Sequence, residues 1–419
     1  MLDRTIAPPA VTTTAFQLPS VRETTLSNGL SICHLNEVRQ AVAQIEVVFD
    51  AGRWHESKPE TSYFTAQMLE KGTASKNALQ LASLFDFYGA HIETNSNYDF
   101  VSVSLYALSK HLPSLLPSFF EIISSPAFDP RELDLLKDTF LQHLHIQNEK
   151  TSYLASNLIR KKIFGPLHPY GGSPSATSVK NVSAEDLHAF FRNKMSPSHV
   201  FLLGAISSKD IAEIEKFFCS IAIQKHPGTH WATIEHQPSF ELAQRENSVQ
   251  SSLRLGKRAI LRQHPDYAKL LMLNYVLGGY FGSRLMKNIR EEKGLTYGIS
   301  SSINALRYES ALFIGAEVNK ENRELVSDEI KRELNKLRTS PIDQQELESA
   351  KQHFIGGLQL EIANPFSVLG KIKNTRLYAL PSDFYQSLIE KVNRLSPQDL
   401  HEVAKTYLDE TSFSEVIVG

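Results

Sequence analysis

The sequence predicts an α+β fold made of two homologous domains, each a mostly antiparallel sheet packed with helices. Its 419 residues exceed the ~250–300 residues at which single cores stop growing. Several strand patterns follow one another through short turns, which only antiparallel neighbours allow. The order of strand and helix patterns in the first half then returns in the second. Two copies of one domain explain all three observations.

The first half alternates strand and helix patterns. Residues 22–37 alternate on both sides of Asn28-Gly29, which predicts a hairpin with a two-residue turn. Gly89 is placed to end the second helix as a C-cap, and Asp129-Pro130 to begin the last one. The further predicted elements are a buried strand at 41–52, helices at 61–73 and 78–90, a half-buried strand at 99–108, and amphipathic helices at 110–126 and 130–150.

The repeat is visible when the sequence is shifted by 214 positions. FDPRELDLLKDTF then aligns with IDQQELESAKQHF. Two generic helix starts could produce this match, but each window follows a glycine-ended helix, closed by Gly89 or Gly294, and a strand pair. The predicted division is an N-terminal extension at 1–19, a first domain at 20–222, a linker at 223–240 and a second domain at 241–419. Prolines and a glycine interrupt the periodicity of the linker.

Composition excludes several classes of protein. The net charge is −2, from 44 Lys+Arg and 46 Asp+Glu, and no basic block supplies the footprint of a nucleic-acid binder. No apolar run approaches the ~18 residues of a membrane span. The two cysteines, Cys33 and Cys219, are too far apart in sequence to suggest a disulfide framework or a thiolate zinc site. We expect a soluble cytoplasmic protein with neither a nucleic-acid nor a membrane partner.

The histidines do not predict a metal site. A helical zinc motif needs two histidines on one helix face with a glutamate nearby. His226 and His230 have suitable spacing, but Pro227 and Gly228 lie between them. The other close pair, at 143 and 145, is about 200° apart around a helix. No metal ligand is therefore predicted in this chain.

The segment 277–303 carries the strongest candidate chemistry. Gly278, Gly279 and Gly282 predict backbone exposed to a partner, since the lysine and hydroxyl residue of a phosphate-binding loop are missing. Arg290 lies in the last turn of the next predicted helix, and Tyr297 on the strand that follows it. Together they are candidate donors to a carbonyl oxygen that becomes negative during hydrolysis.

A purely structural interpretation of the same corner stays open. Lys287, Arg290 and Lys293 would also complement the negative end of a helix dipole. Tyr297 would then be an ordinary strand aromatic.

Several segments resemble the two-domain zinc peptidases of the pitrilysin, insulysin and mitochondrial processing peptidase group. The resemblance runs from about Val21 to the C-terminus, and the order and spacing of its segments are specific. These are LSNGL, MLEKGT, FYGAHIETNSNYDF, HPYG, SAEDL, MSPSHVFLLGAIS and LGGYFGSRLMKNIREEKGLTYGISSS.

The resemblance implies a degenerate zinc motif. Catalytic members carry H-x-x-E-H just before the MLEKGT-like stretch, where this chain has Tyr63, Ala66 and Gln67 in place of two ligands and the base. The third ligand, a glutamate on the following long helix, is replaced within the Leu-Gln-His-Leu run at 141–144. Such side chains neither hold Zn²⁺ nor activate water. We expect a core helix at 61–73, with Phe64 among its inward residues.

The resemblance also implies a role for Arg290 and Tyr297. The family uses an arginine and a tyrosine seven residues apart to donate hydrogen bonds to substrate and oxyanion, and both match in identity and spacing. The stretch from Gly278 to Gly282 occupies the place of a longer glycine-rich, peptide-contacting loop.

In two-chain members, one subunit bears zinc and the other keeps the arginine and tyrosine. The implied protein is the non-zinc half of a clamshell, with a homologous zinc-bearing partner, unfolded peptides as substrates and zinc only in that partner. The alternative is a catalytically inert scaffold or peptide-binding subunit, similar to the core proteins of respiratory complexes. A lone peptidase with an unorthodox metal site is disfavoured, because no suitable cluster of ligands occurs.

Overall fold

The computed structural model describes residues 17–36, 41–224, 230–232, 234–246 and 248–419. Most of the predicted N-terminal extension and part of the predicted linker, including His226, lie outside these residues. The elements of the first half are β1 (Arg22–Thr25), β2 (Ser31–Leu35), β3 (Val42–Phe49), α1 (Thr61–Met68), α2 (Ala78–Phe87), β4 (His91–Ser96), β5 (Val101–Leu108), α3 (Leu112–Ser124), α4 (Pro130–Asn148), α5 (Thr151–Phe164), α6 (Ala176–Asn181), α7 (Ala184–Lys194), β6 (Pro197–Leu203) and α8 (Ser208–Ser220).

The second half has the same character. Its elements are β7 (Phe240–Ala243), β8 (Gln250–Ala259), α9 (Tyr267–Asn274), a π-helix (Tyr275–Gly279), a second π-helix (Met286–Glu292), β9 (Thr296–Ala305), β10 (Ser310–Asn319), α10 (Arg323–Thr339), α11 (Gln344–Glu361), α12 (Pro365–Leu377), α13 (Phe384–Arg394), α14 (Pro397–Tyr407) and β11 (Ser414–Val418). The limits of the two domains stay a prediction; β7 begins at Phe240.

The two halves share one sheet topology, which confirms the predicted pair of homologous domains. The first sheet has the order β1-β2-β6-β3-β5-β4 and the second β7-β11-β8-β10-β9. Apart from β1, the orders correspond strand for strand. The pairs β2–β6 and β7–β11 are parallel. The other corresponding pairs are antiparallel, namely β6–β3, β3–β5 and β5–β4 in the first sheet and β11–β8, β8–β10 and β10–β9 in the second. The sheets are therefore mostly antiparallel, as expected.

The helix starts found by the shift of 214 positions are equivalent in structure. Asp129 caps α4 by accepting a hydrogen bond from the backbone N–H of Arg131. Asp343 caps α11 in the same way, through the N–H of Gln345. The repeated aspartate thus has a structural cause, since a carboxylate satisfies an unpaired N–H at a helix N-terminus.

The two halves exchange a helix. Most helices of each half cover one face of their own sheet. The other face of the first sheet is covered by α12, whose Leu369 packs with Phe201 of β6. The other face of the second sheet is covered by α5, whose Ile159 packs with Val416 of β11. Each domain therefore completes its core with a helix from the other half.

The predicted hairpin is present, but its turn is longer than predicted. The N–H of Leu26 donates to the carbonyl of Leu30 at 2.9 Å, so three residues separate the bonded pair. Gly29 has a φ of +86°, which a side-chain-bearing residue rarely adopts. The Asn28 amide donates to the Phe218 carbonyl at 2.7 Å and fixes the turn against α8. This long-range contact could not be read from the local pattern.

Candidate functional site

The residues predicted to form a degenerate zinc motif lie on α1, where their side chains pack against neighbouring elements. Phe64 is fully buried, as expected. The Tyr63 ring lies 5.0 Å from that of Phe140 on α4, and burial raises the pKa of its phenol. The Gln67 amide donates to the backbone carbonyl and the hydroxyl of Thr94, both at 3.2 Å. Aromatic and amide contacts thus join α1 to its neighbours.

At the place expected for the third ligand, the side chains make other contacts. Leu144 of α4 is buried, and the exposed His143 ring meets the Gln147 amide at 3.0 Å on the same helix. Ala66 is fully buried and carries no polar atom on its side chain. Among the described residues, no group of three His, Cys, Asp or Glu side chains is arranged to hold a metal ion.

The buried side chain of Glu56 accepts hydrogen bonds at the start of α1. Glu56 accepts hydrogen bonds from the Ser62 backbone N–H at 2.8 Å, the Ser62 hydroxyl at 2.6 Å and the Glu60 N–H at 3.2 Å. Burial is the main reason that the pKa of Glu56 is raised to about 7, with the nearby charge of Glu60 adding to it. The hydroxyl and N–H of Ser62 oppose this shift.

Arg290 lies in the second π-helix, as the sequence predicted for the last turn of a helix. Gly294, with a φ of +62°, ends this segment, and its N–H donates to the Arg290 carbonyl at 3.2 Å. The guanidinium carbon lies 4.8 Å from the centroid of the Phe281 ring. Phe281 is itself 59% exposed, so the stacked pair lies at the surface. A cation over an aromatic face is held in orientation.

A buried polar network fixes the helix that carries Arg290. The Asn288 amide donates to Glu333 at 2.8 Å and to Glu329 at 3.1 Å, both on α10. Lys293 adds a bond of 2.8 Å to Glu329 and one to the Asn288 side-chain oxygen. The hydrogen bond from Lys293 is the main reason that the pKa of Glu329 is lowered.

Tyr297 lies on β9, the edge strand of the second sheet, and its side chain is 91% exposed. The register with β10 shifts there, because Ile299 pairs with Ala316 but Thr296 pairs with Val318. Two residues of β9 thus face one of β10. Such a bulge turns a side chain away from the regular alternation of a strand. The phenol is directed to solvent at the corner where the Arg290 helix ends.

The three candidate glycines are close-packed positions. A Cβ on Gly278 would lie 2.6 Å from the Ser301 backbone nitrogen, and one on Gly279 would lie 2.8 Å from the Tyr275 ring. A Cβ on Gly282 would meet the Tyr280 ring at 2.8 Å. Gly279 is exposed, as expected, but Gly278 is buried. The sequence could not show this, because contact with β9 is a tertiary effect.

Comparison with known proteins places these features in a family. The sequence model of insulinase (peptidase family M16) matches residues 32–167, and that of the peptidase M16 inactive domain matches residues 181–354. The protein is thus a two-domain relative of M16 peptidases. The chain belongs to the insulinase (M16) family, as the resemblance implied.

Individual relatives have divergent names. A Bacillus subtilis protein named "Uncharacterized zinc protease YmxG" is 24% identical over 93% of this chain and 96% of its own length. A Helicobacter pylori protein named "Non-peptidase homolog YmxG" is 21% identical, over 84% of this chain and 83% of its own. The names of relatives therefore include both a protease and a non-peptidase.

Solved structures share the fold. The peptidase M16 inactive domain from Pseudomonas fluorescens superposes with a TM-score of 0.87 at 25% identity, over 96% of this chain and 98% of that one. The periplasmic protease PqqL from Escherichia coli gives 0.77 at 15% identity, and this chain covers 49% of it. The predicted architecture, two homologous α+β domains that correspond to half of an M16 clamshell, is confirmed. No helix within the described residues is long and apolar enough to cross a membrane.

Proposed function

We propose that the chain is the non-zinc subunit of a heteromeric zinc endopeptidase that acts on unfolded peptides. In this proposal a homologous partner supplies the zinc, the base and the attacking water. Arg290 and Tyr297 donate hydrogen bonds to the substrate and to the oxyanion that forms at the partner's metal. In this proposal the exposed Gly279 and the partly exposed Gly282 provide peptide-contacting backbone, whereas the buried Gly278 supports them by packing.

The exposure of Tyr297 carries the proposal. A phenol that is 91% exposed contributes little to the chain's own core, and a bulge on an edge strand directs it outward. The buried Asn288–Glu329 network fixes the neighbouring helix, so Arg290 is presented on a rigid element. Preorganised donors are what oxyanion stabilisation requires, and each contributes ~2.7–4 kcal/mol to transition-state binding in other enzymes.

Two further observations support a two-chain assembly and a reducing compartment. All of this chain superposes on the PqqL protease but covers only 49% of that protein. This is expected if a clamshell of the PqqL kind is completed here by a second chain. Cys33 and Cys219 are both free thiols, and we propose the cytoplasm as the compartment on that ground.

The test uses the assembled enzyme. Arg290→Ala and Tyr297→Phe should each lower kcat/KM by about 10²-fold or more, while the chain still folds and binds its zinc-bearing partner. Lys287→Ala is the matched control, because Lys287 is an exposed cation on the same helix. Complex formation and peptide hydrolysis are measured on the same samples.

The inert scaffold or peptide-binding subunit is the second candidate, and the name of the Helicobacter pylori relative favours it. Unchanged turnover in both variants would support the scaffold and remove this chain from the chemistry. A loss of turnover that only accompanies a loss of assembly would assign the corner to the interface between the subunits.

A further inference from the structure

A groove of about 410 Å³ lies on the face of the second sheet beside α5. It is lined by small or polar residues of β9 and β10, by α5 and by Arg254 of β8. The floor is open at Gly298, where no atom lies within 4 Å of an added Cβ, whereas the Arg254 side chain packs over Gly315. Two cations, Arg160 from α5 and Arg254, line this groove. None of the proposed catalytic residues belongs to it.

Arg254 is fully paired within the chain. Its guanidinium lies 2.6 Å from the Glu317 carboxylate and donates to the Ser156 hydroxyl at 3.3 Å and to the Leu253 carbonyl at 2.9 Å. The one carboxylate among the groove residues is therefore already bound.

Arg160 is held in place, but no described residue forms an ion pair with it. Its guanidinium carbon lies 5.1 Å from the ring centroid of Tyr98 and 5.2 Å from that of Phe313. Its Nη1 atom is buried without a hydrogen-bond partner, and across the parts of the chain that the structure describes Arg160 forms no ion pair. Burying an unsatisfied donor of a charged group is costly. The groove thus has a fixed, uncompensated cation.

The equivalent groove on the first sheet contains an ion pair that Arg160 lacks in the second-sheet groove. There Lys373 of α12 is paired with Glu46 of β3 at 2.9 Å. Glu46 lies opposite Phe201 of β6 in the sheet register, and Arg254 lies opposite Val416 of the corresponding strand β11. At this corresponding position, the first sheet thus presents the carboxylate of Glu46 towards α12, whereas the second sheet presents Arg254 towards α5.

We propose that the groove of the second sheet binds a carboxylate group of an extended peptide. The guanidinium of Arg160 would form the ion pair, with Ser302 and Asn304 lining the same space as hydrogen-bonding groups. An arginine presents N–H donors in a planar fork that matches a carboxylate. The inference that the ligand has a carboxylate group rests on the groove alone. The inference that this ligand is a peptide rests on the proposed function.

Two peptide carboxylates have this chemistry, the C-terminal one and that of an aspartate or glutamate side chain. The full chain, without its partner, is titrated with three short dansylated peptides of one neutral sequence. The first has a free C-terminus, the second is C-terminally amidated, and the third is amidated with an internal glutamate. Fluorescence anisotropy at low salt reports binding to wild type, to Arg160→Met and to the control Lys161→Met. The methionine keeps an unbranched side chain between the two rings, and Lys161 is an exposed cation next in sequence.

Wild type should bind the first or the third peptide about 10-fold or more tightly than the second. The preferred peptide identifies the source of the carboxylate. Arg160→Met should abolish this preference, and Lys161→Met should retain it. Equal affinity for all three peptides, no binding of any, or a preference that survives in Arg160→Met would overturn the proposal. Because turnover is not measured, failure here is separate from failure of the Arg290 and Tyr297 roles.

Discussion

Lys293 donates a hydrogen bond of 2.8 Å to Glu329, whose carboxylate is only 3% exposed. This ion pair links the end of the helix that carries Arg290 to α10. Because Asn288 donates to the same carboxylate, one acceptor holds both the middle and the end of the segment. The rigidity of the candidate catalytic corner therefore depends on a residue that is not at its surface.

We expect Glu329→Gln to destabilise the chain by about 1–3 kcal/mol, since an amide leaves Lys293 without its buried counter-charge. Urea unfolding at pH 7 measures this free energy. The control is Asp328→Asn, the exposed neighbour on α10, which should change stability by less than about 0.5 kcal/mol. Equal stability of both variants would show that the network does not fix the helix.

Zinc analysis tests the degenerate motif directly. We expect the purified chain, after mild dialysis, to contain no stoichiometric zinc and to cleave no peptide alone, because Tyr63, Ala66 and Gln67 supply neither ligands nor a base. Elemental analysis and a peptide hydrolysis assay are the measurements. Close to one zinc per chain, with cleavage that a chelator abolishes, would establish a metal site of another kind.

The packing of Gly278 predicts a large effect of a small substitution. Gly278→Ala should lower the free energy of unfolding by about 1–3 kcal/mol, because its Cβ would lie 2.6 Å from the Ser301 nitrogen. The control is Gly356→Ala in α11, where no atom lies within 4 Å of the added Cβ. That change should stabilise the helix by roughly 0.5–1 kcal/mol. Thermal unfolding of both variants is the measurement. A Gly278→Ala variant as stable as the wild type would show that packing does not require glycine at position 278.

The raised pKa of Glu56 predicts how stability varies with pH. The folded-state value of about 7 lies above the ordinary 4.5, so the folded chain binds the proton more tightly. The contribution of Glu56 to stability should therefore fall as pH rises from 4.5 to 7, by about 3 kcal/mol in total. Glu56→Gln should remove this decline, whereas the exposed control Glu402→Gln should keep it. Urea unfolding at pH 5 and pH 8 measures the difference, and an unchanged slope in Glu56→Gln would contradict the assignment.

Features set by local chemistry were predictable from the sequence. The Asp129 cap, the end of α2 near Gly89, the buried face of α1 and the helix–glycine–strand corner before Tyr297 all follow from residue type and periodicity. Each depends on neighbours within a few positions. The repeat of 214 positions predicted the duplicated topology for a different reason, because homologous segments adopt the same fold.

Features set by tertiary contact were not predictable. An amphipathic pattern shows that a helix such as α5 buries one face, but not which sheet it covers. The stacking of Arg290 on Phe281 and the bulge at Tyr297 depend on packing and strand register. The unpaired charge of Arg160 is visible only once Tyr98 and Phe313 are placed around it.

The helix exchange has a consequence for synthesis of the chain on the ribosome. The strands of the first sheet are complete once β6 has emerged, but the face that carries Phe201 still lacks α12, whose Val368, Leu369 and Ile372 pack on it. At ~5–20 residues per second, that face waits roughly 10–30 s for the helix that covers it. During this interval the nascent chain exposes the apolar side chains that α12 will cover. We expect a chaperone that recognises apolar surfaces to bind there, and release of a chain truncated before α12 to give aggregates rather than a stable half-molecule.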